Sequence, residues 1–361
     1  MVYHLLYPLY KYFTAFNVFR YITVRAGGAA LTSLILSIVL GPIIIKRLKK
    51  AKVGDTIRDL PMFETLHKHK IGIPTMGGVL ILLVLIVSTL LWARLDNAFI
   101  LIMLASTVYL GLLGFTDDYM KLKHGKRGLR GWYKLLAQAA LGFFVGMYIF
   151  YSPSTPDFSN VTMPFFKNVF LQMGILYVVF VAVVITGSSN AVNLTDGQDG
   201  LAIGSVVVVA ATLAVFVYLA GHFKFSDYLF IPFVPQSGEL AVYLAALIGA
   251  SLGFLWFNSY PAEILMGDTG ALAIGGVLGL VAVLARKEMI LLIVGGIFVV
   301  ETVSVIIQVL IYKITKKRVF GMAPLHHHFE LKGLTEPKIV VRFWIINIIL
   351  ALITFSTLKL R

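Results

Sequence analysis

Apolar runs of about 20 residues, the length that carries an α-helix across ~30 Å of hydrocarbon, recur along this chain with short polar breaks between them. The pattern predicts spanning helices over 26–47, 74–94, 97–115, 134–151, 168–187, 200–221, 239–257, 269–285, 289–312 and 339–358. Ten crossings, an even number, put both termini on one side. The expected fold is an all-α integral membrane protein, a polytopic bundle of about ten transmembrane helices in a single domain, 1–361, with no stretch left over for a soluble domain. The first 25 residues are rich in tyrosine (Tyr3, Tyr7, Tyr10, Tyr12, Tyr21) but lack a basic stretch leading into an apolar core and a cleavage site. They read as an interfacial aromatic belt, not a signal peptide.

Composition agrees: the 361 residues are 59% hydrophobic and 13% charged, too apolar for a soluble domain of this length. Of the 31 Lys and Arg, eight lie in 46–70, six in 121–134 and seven in 313–342, which leaves ten for the other side. The richer side is expected to be cytoplasmic, with both termini extracytoplasmic. Much of the net charge of +14 is then topology signal and attraction to anionic headgroups, and a nucleic-acid partner is not expected. The absence of cysteine excludes disulfides, thiolate metal sites and cysteine nucleophiles.

The acids are distributed as unevenly as the bases. Eleven of 17 fall in the same set of connections or at their helix ends: Asp55, Asp59, Glu64, Asp117, Asp118, Asp196, Asp199, Glu263, Asp268, Glu330 and Glu336. Two of those connections, 188–199 and 258–268, have no Lys or Arg and carry carboxylates and amides instead, in "SSNAVNLTDGQDG" and "NSYPAEILMGDTG". Asp117 and Asp118 close the third apolar run. A charge at the bilayer centre costs about 2.5–3.5 kcal/mol, so this pair is expected at a lip or in a wet cavity. Adjacent carboxylates repel by roughly 1–4 kcal/mol at ~4 Å, and a nearby cation reverses that sign. Acidic clusters meeting basic loops suit a hard divalent cation, ligated by carboxylates, and a phosphate-bearing anion neutralised by Lys and Arg. The plainer reading of "TDD", a polar stop at the interface, stays open on these residues alone.

Four further features bear on the chemistry. "NLTDGQDG" lacks the Glu at position twelve of a calcium loop, while Gly197 and Gly200 suit a turn whose backbone approaches a ligand. The triplet in "PLHHHFE" is internal, hence not an affinity tag, and consecutive histidines on a helix point ~100° apart, too divergent to ligate one zinc; hydrogen bonding to a phosphate or sugar is the better reading. In "HKIGIPTMGG", Pro74 and the small residues start a helix, and Lys70 with the free N–H groups of that start suits phosphate; the two readings are compatible. Glu301 stands alone inside the ninth run near Thr302, Ser304 and Gln308, where it is functional or merely ties helices together, and it is left outside the expected site.

"GFTDDYMK", "NAVNLTDGQDG", "FNSYPAEILMGDTG" and "MAPLHHHFELKG", in this order across ten runs, resemble the phospho-N-acetylmuramoyl-pentapeptide transferases, a branch of the polyprenyl-phosphate N-acetylhexosamine-1-phosphate transferases. The likeness extends over essentially the whole chain. It implies transfer of phospho-MurNAc-pentapeptide from UDP-MurNAc-pentapeptide to undecaprenyl phosphate, giving lipid I and UMP in peptidoglycan synthesis. It implies a multi-pass protein of the bacterial plasma (inner) membrane with its site facing the cytoplasm, a homodimer, and Mg²⁺ as cofactor. By position, Asp268 matches the main Mg²⁺ ligand, and Asp117 and Asp118 match an aspartate pair expected to share the metal, the first also a candidate base; all three are expected to be catalytic. Lys70, Thr75, Lys121, Lys134, Asn190, Asn193, Asp196, Asp199 and Asn258 match positions lining the nucleotide and phosphate cleft. His326, His327 and His328 match the motif that distinguishes MurNAc transferases from relatives using UDP-GlcNAc, the nearest alternative. Ile73, Gln198 and Leu265 depart from the usual "GTPTMGG", "TDGLDG" and "FMGD", and Leu265 offers uracil apolar contact in place of aromatic stacking. A cation-coupled transporter is the alternative from another class, but transporters place ionisable groups near mid-membrane in repeated halves, and here the acids gather at one lip without an internal repeat.

Overall fold

In the computed structural model, residues 1–51, 72–123, 128–152, 159–166 and 169–358 are described. Ten helices follow the ten apolar runs: α1 Ile22–Lys50, α2 Gly78–Trp92, α3 Ala98–Lys123, α4 Gly131–Tyr151, α5 Leu176–Thr195, α6 Leu201–Ala220, α7 Leu240–Asn258, α8 Gly267–Leu284, α9 Gly296–Thr315 and α10 Glu336–Ser356. Nine of these, among the described residues, are long and apolar enough to span a bilayer on their own. The exception, α2, has 15 residues and reaches about 22 Å; the non-helical stretch from Pro74 to Gly77 precedes it. A short helix, Glu288–Val294, leads into α9, and another, Leu325–Leu331, carries the histidine triplet.

Three boundaries differ from the sequence expectation by eight residues each. Residues 170–172, read as the start of the fifth span, form a strand paired antiparallel with 160–162, so α5 begins at Leu176. Its far end continues through Ser188–Thr195, which the pattern assigned to a loop. That stretch stays helical because its polar side chains bond inside the protein: Ser188 Oγ donates to Val184 O at 2.8 Å and Ser189 Oγ to Leu272 O at 2.7 Å. Likewise α3 runs past its predicted end at 115 and carries Asp117 and Asp118 on its last turns.

The outermost helices face lipid with bulky apolar residues such as Leu31, Ile35 and Val39 of α1 and Val303, Ile306 and Leu310 of α9, surfaces that hydrocarbon accommodates without penalty. At the centre stands α8, in which every residue from Thr269 to Leu284 is buried. Small residues let its neighbours approach closely. A β-carbon on Gly78 of α2 would overlap the backbone of Gly270, and one on Gly114 of α3 would overlap the carbonyl of Asp268. These two contacts bring the ends of α2 and α3 against the N-terminus of α8, and there the acids meet.

Candidate active site

The first turn of α8 begins at Gly267, whose φ of +73° is left-handed backbone that glycine adopts without strain. A β-carbon there would also come within 2.9 Å of Asp118 Oδ2 and of Thr75 Oγ1, so the residue before Asp268 has room for no side chain. The segment ahead of α2 is laced to the one ahead of α8. Leu265 N–H donates to Pro74 O at 2.8 Å, Gly77 N–H to Leu265 O at 2.9 Å and Gly78 N–H to Met266 O at 2.8 Å. Leu265, the departure in "LMGD", thus holds Thr75 in place through its backbone.

Asp117, Asp118 and Asp268 each direct one oxygen into a space where the three atoms lie within 4.8 Å of one another. Asp118 is anchored: its Oδ2 accepts from Thr269 N–H at 2.9 Å and Thr269 Oγ1 at 2.7 Å, and its Oδ1 from Asp268 N–H at 3.3 Å. It stabilises the positive end of α8. Asp117 is fully buried and accepts Leu129 N–H at Oδ1, 2.7 Å away. Its Oδ2 faces two ammonium groups, Lys121 Nζ at 2.7 Å and Lys134 Nζ at 3.3 Å. The same two lysines reach Asp268 Oδ2, at 3.1 and 3.0 Å. Asn193 Nδ2 donates to the other oxygen of Asp268 at 3.0 Å. Three carboxylates against two ammonium groups leave a formal excess of one negative charge, and Lys121 keeps 39% of its side chain exposed, so the cluster opens to water on the lysine side.

Around this centre the acidic loops brace one another. Asn258 accepts Gly200 N–H at 3.1 Å and donates to Ile264 O at 2.8 Å, tying the start of α6 to the loop before α8. Asp199 accepts Ala262 N–H at 3.0 Å through Oδ2 and gives its own N–H to Glu336 Oε1 at 2.6 Å. Asn190 lies one layer behind, donating to Gln138 Oε1 at 2.7 Å, and Gln138 donates to Ser189 at 2.9 Å. Asp196 caps the end of α5 at the turn, half-buried.

Glycosyl transferase family 4 matches residues 100–286, more than half of the chain and the segment that holds all three aspartates. The chain belongs to this family. Over their full length and that of this chain, curated relatives share 52% identity in Endomicrobium trichonymphae, 53% in Citrifermentans bemidjiense and 51% in Desulfotalea psychrophila, and each is named phospho-N-acetylmuramoyl-pentapeptide-transferase. Within the family's matched segment lie Lys121, Lys134, Asn190, Asn193, Asp196, Asp199 and Asn258; Thr75 and the histidines lie outside it, in parts of the chain that the full-length relatives cover.

The histidine helix Leu325–Leu331 packs on the turn at 196–200. Each ring has its own partner: His326 Nδ1 stands 3.3 Å from Glu301 Oε2, His327 Nδ1 is 2.7 Å from Glu330 Oε2, and His328 Nδ1 accepts Gly321 N–H at 3.1 Å. Three divergent partners are what consecutive helical positions dictate, and among the described residues the only cluster with metal-ligand geometry is the aspartate triad. His326 is wholly buried, His327 nearly so, and His328 half-buried. Lys70 lies outside the described residues.

Of the expected residues, Asp117, Asp118, Lys121, Lys134, Asn193 and Asp268 touch one another, and Thr75 flanks them. Asp199 and Asn258 hold the surrounding backbone, and Asn190 bonds the Gln138 side chain behind it. Sequence reasoning passed over Thr269 and Gln138, although the threonine directly after "GD" and a lone amide in the apolar run of α4 were signals in plain sight, and it left Glu301 outside the site.

Proposed function

We propose that this chain transfers phospho-MurNAc-pentapeptide from UDP-MurNAc-pentapeptide to undecaprenyl phosphate, releasing UMP and forming lipid I, at a site facing the cytoplasm from the bacterial plasma (inner) membrane. The observation that carries the reading is the convergence of Asp117, Asp118 and Asp268 with Lys121 and Lys134 at one end of the bundle, in a chain about half identical to the transferases over its whole length. A lipid acceptor reaches such a lip from the bilayer, and a soluble nucleotide-sugar reaches it from water. The concentration of Lys and Arg in 46–70, 121–134 and 313–342 supports the cytoplasmic orientation.

The residues fit a divalent cation: three hard carboxylate oxygens converge with an uncompensated negative charge. Asp268 would hold Mg²⁺ with Asp118, which Thr269 steadies, leaving Asp117 Oδ2 for the proton step. The ion, when bound, supplies neutralisation of the diphosphate oxygens. Lys121 and Lys134, which now share the carboxylates, carry donors that turn to the diphosphate and orient it. Asp117, behind both lysines, takes the proton of the lipid phosphate. One phosphate oxygen of the lipid then forms a bond to the β-phosphorus, the one that bears the sugar; the bond from that phosphorus to the bridging oxygen breaks, and the electron pair leaves with UMP.

The test is release of UMP from UDP-MurNAc-pentapeptide in detergent with undecaprenyl phosphate, with Mg²⁺ and after chelation. Release that needs both the lipid acceptor and Mg²⁺ is expected. Release without the acceptor, or none in any condition, overturns the reading.

A further inference from the structure

Glu301 is a buried carboxylate that the reaction above does not use. It lies on α9 with 1% exposure, and its neighbours do not make it a helix tie. Thr302 Oγ1 donates to Phe298 O at 2.8 Å and Ser304 Oγ to the backbone carbonyl of Glu301 at 2.6 Å, so both hydroxyls serve their own helix. The carboxylate instead addresses one residue of a different segment with both oxygens. Its Oε1 accepts the backbone N–H of His326 at 3.2 Å, and its Oε2 stands 3.3 Å from His326 Nδ1. As placed, neither Oε2 nor Nδ1 completes a hydrogen bond, and Nε2 has no partner either; leaving facing polar atoms unpaired in a dry interior is costly. A proton on Nδ1, with a small turn of the ring toward Oε2 3.3 Å away, satisfies both.

That pairing decides where the ring lies. His326 Nε2 rests on Gly197, where a β-carbon would overlap the ring. The next two residues of the turn are held from the same side: Gln198 Nε2 donates to Glu330 Oε1 at 2.8 Å and Asp199 N–H to Glu336 Oε1 at 2.6 Å. From the turn, Asp199 and Gly200 connect to Ala262 and Asn258 in the loop that ends at Asp268.

We propose that Glu301 is a positioning residue: it keeps the proton on His326 Nδ1 and thereby seats the histidine helix on the 196–200 turn that forms one wall of the nucleotide-sugar cleft. The ring-state claim stands on this geometry alone, while its kinetic consequence rests on the transferase reading given above. A Glu301→Gln variant tests it with no change in volume. The backbone N–H of His326 still requires an acceptor, which fixes the amide oxygen at the Oε1 place and leaves the amide NH₂ facing Nδ1. Nδ1 must then accept, and the ring proton moves to Nε2.

The experiment is a long-range nitrogen–proton correlation spectrum of the full-length protein in detergent with labelled histidine. His326 is assigned among the eight histidines by its loss in His326→Gln, or by single replacement of the other histidines should that variant not fold. The native spectrum should show a proton on Nδ1 of His326, and Glu301→Gln should move it to Nε2. Kinetically, Glu301→Gln should raise KM for UDP-MurNAc-pentapeptide about tenfold, with kcat and the KM for undecaprenyl phosphate within about twofold. A native His326 without a proton on Nδ1, or a variant that retains it there, overturns the proposal. So does inversion of the ring with no change in KM. Should the native protein transfer nothing, the transferase reading falls while the spectra still decide the state of the ring.

Discussion

The two ends of the bundle each bury charge, and they do so in opposite ways. Away from the aspartates, Arg25 at the start of α1 meets Glu239 ahead of α7 in a bidentate pair, both contacts 2.6 Å, with side-chain exposures of 1% and 8%. Arg94 N–H adds a bond to Glu239 Oε2 at 3.3 Å, and the Tyr3 ring lies 5.0 Å from the guanidinium. One base answers one acid, and the partners enclose them. At the other end three acids share two lysines, the lysines are 39% and 19% exposed, and each ammonium reaches at least two carboxylates. A matched, sealed pair fastens helices together. A mismatched, open cluster retains affinity for something not yet bound, and that difference separates a site from a staple more clearly than the presence of buried charge does.

Neutralising one member at each end should break the symmetry in opposite directions. Asp268→Asn is expected to lower transfer about 10³-fold while leaving the thermal midpoint unchanged or slightly raised, because it relieves the excess negative charge. UMP release and a melting curve on the same preparation check both. An Asp268→Asn protein that melts far below the native one would place the aspartate among the staples.

Glu239→Gln should do the reverse. With Arg25 left buried and unpaired, unfolding free energy is expected to fall by about 3–5 kcal/mol, with transfer per folded molecule unaltered. The double change Arg25→Met with Glu239→Leu should recover most of that loss, since a matched apolar pair removes the desolvation that the single change leaves behind. Denaturant titration of the three proteins decides it; a double variant as unstable as the single one would show that the pair does more than fasten.

Between these extremes lies the packing that assembles the site. Gly78→Ala sets a methyl group against the backbone of Gly270 and Thr269, atoms that cannot swing aside. A loss of about 1–3 kcal/mol is expected, and because Thr269 anchors Asp118, turnover should fall with it. A variant that loses stability with native turnover would uncouple the α2–α8 contact from the aspartates.

How much of this was legible beforehand varies with the physics behind each feature. The spans were legible because a bilayer tolerates only runs of apolar residues with all backbone groups paired internally, and ten runs became ten helices. Asp117 and Asp118 were legible for the same reason, charge being costly near hydrocarbon, whereas Asp268 stood out among the acids of its loop only through the family resemblance. The end of α5 was not. "SSNAVNLT" reads as a loop by polarity, and only the partners in α8 and α4, Leu272 O and Gln138, show that its polar atoms point into protein. Sequence also does not separate a side chain that lines a cleft from one that braces it. Asn258 and Asp199 were expected at the cleft, and both also bond backbone groups that join its loops. Glu301 looked solitary because its partner lies 25 positions away on another element, and nothing in a linear pattern announces such a pairing.

The smallest effect expected is at Gln198, which stands where the resembled motif "TDGLDG" has leucine. Its amide donates to Glu330 Oε1 at 2.8 Å, yet its own Oε1 is buried with no partner. Gln198→Leu removes a favourable bond and an unfavourable orphan together, two terms of similar size and opposite sign, each of about 1 kcal/mol. Stability should move by less than about 1 kcal/mol and KM for UDP-MurNAc-pentapeptide by less than about threefold. Glu330 keeps the His327 ring as a partner at 2.7 Å, so no charge is stranded, unlike at Arg25. A tenfold rise in KM from so mild a change would mean that the 196–200 turn responds to neutral polar contacts as strongly as to charged ones. The contrast between the two ends would then lie in how rigidly each is held, and no longer in how its charges are matched.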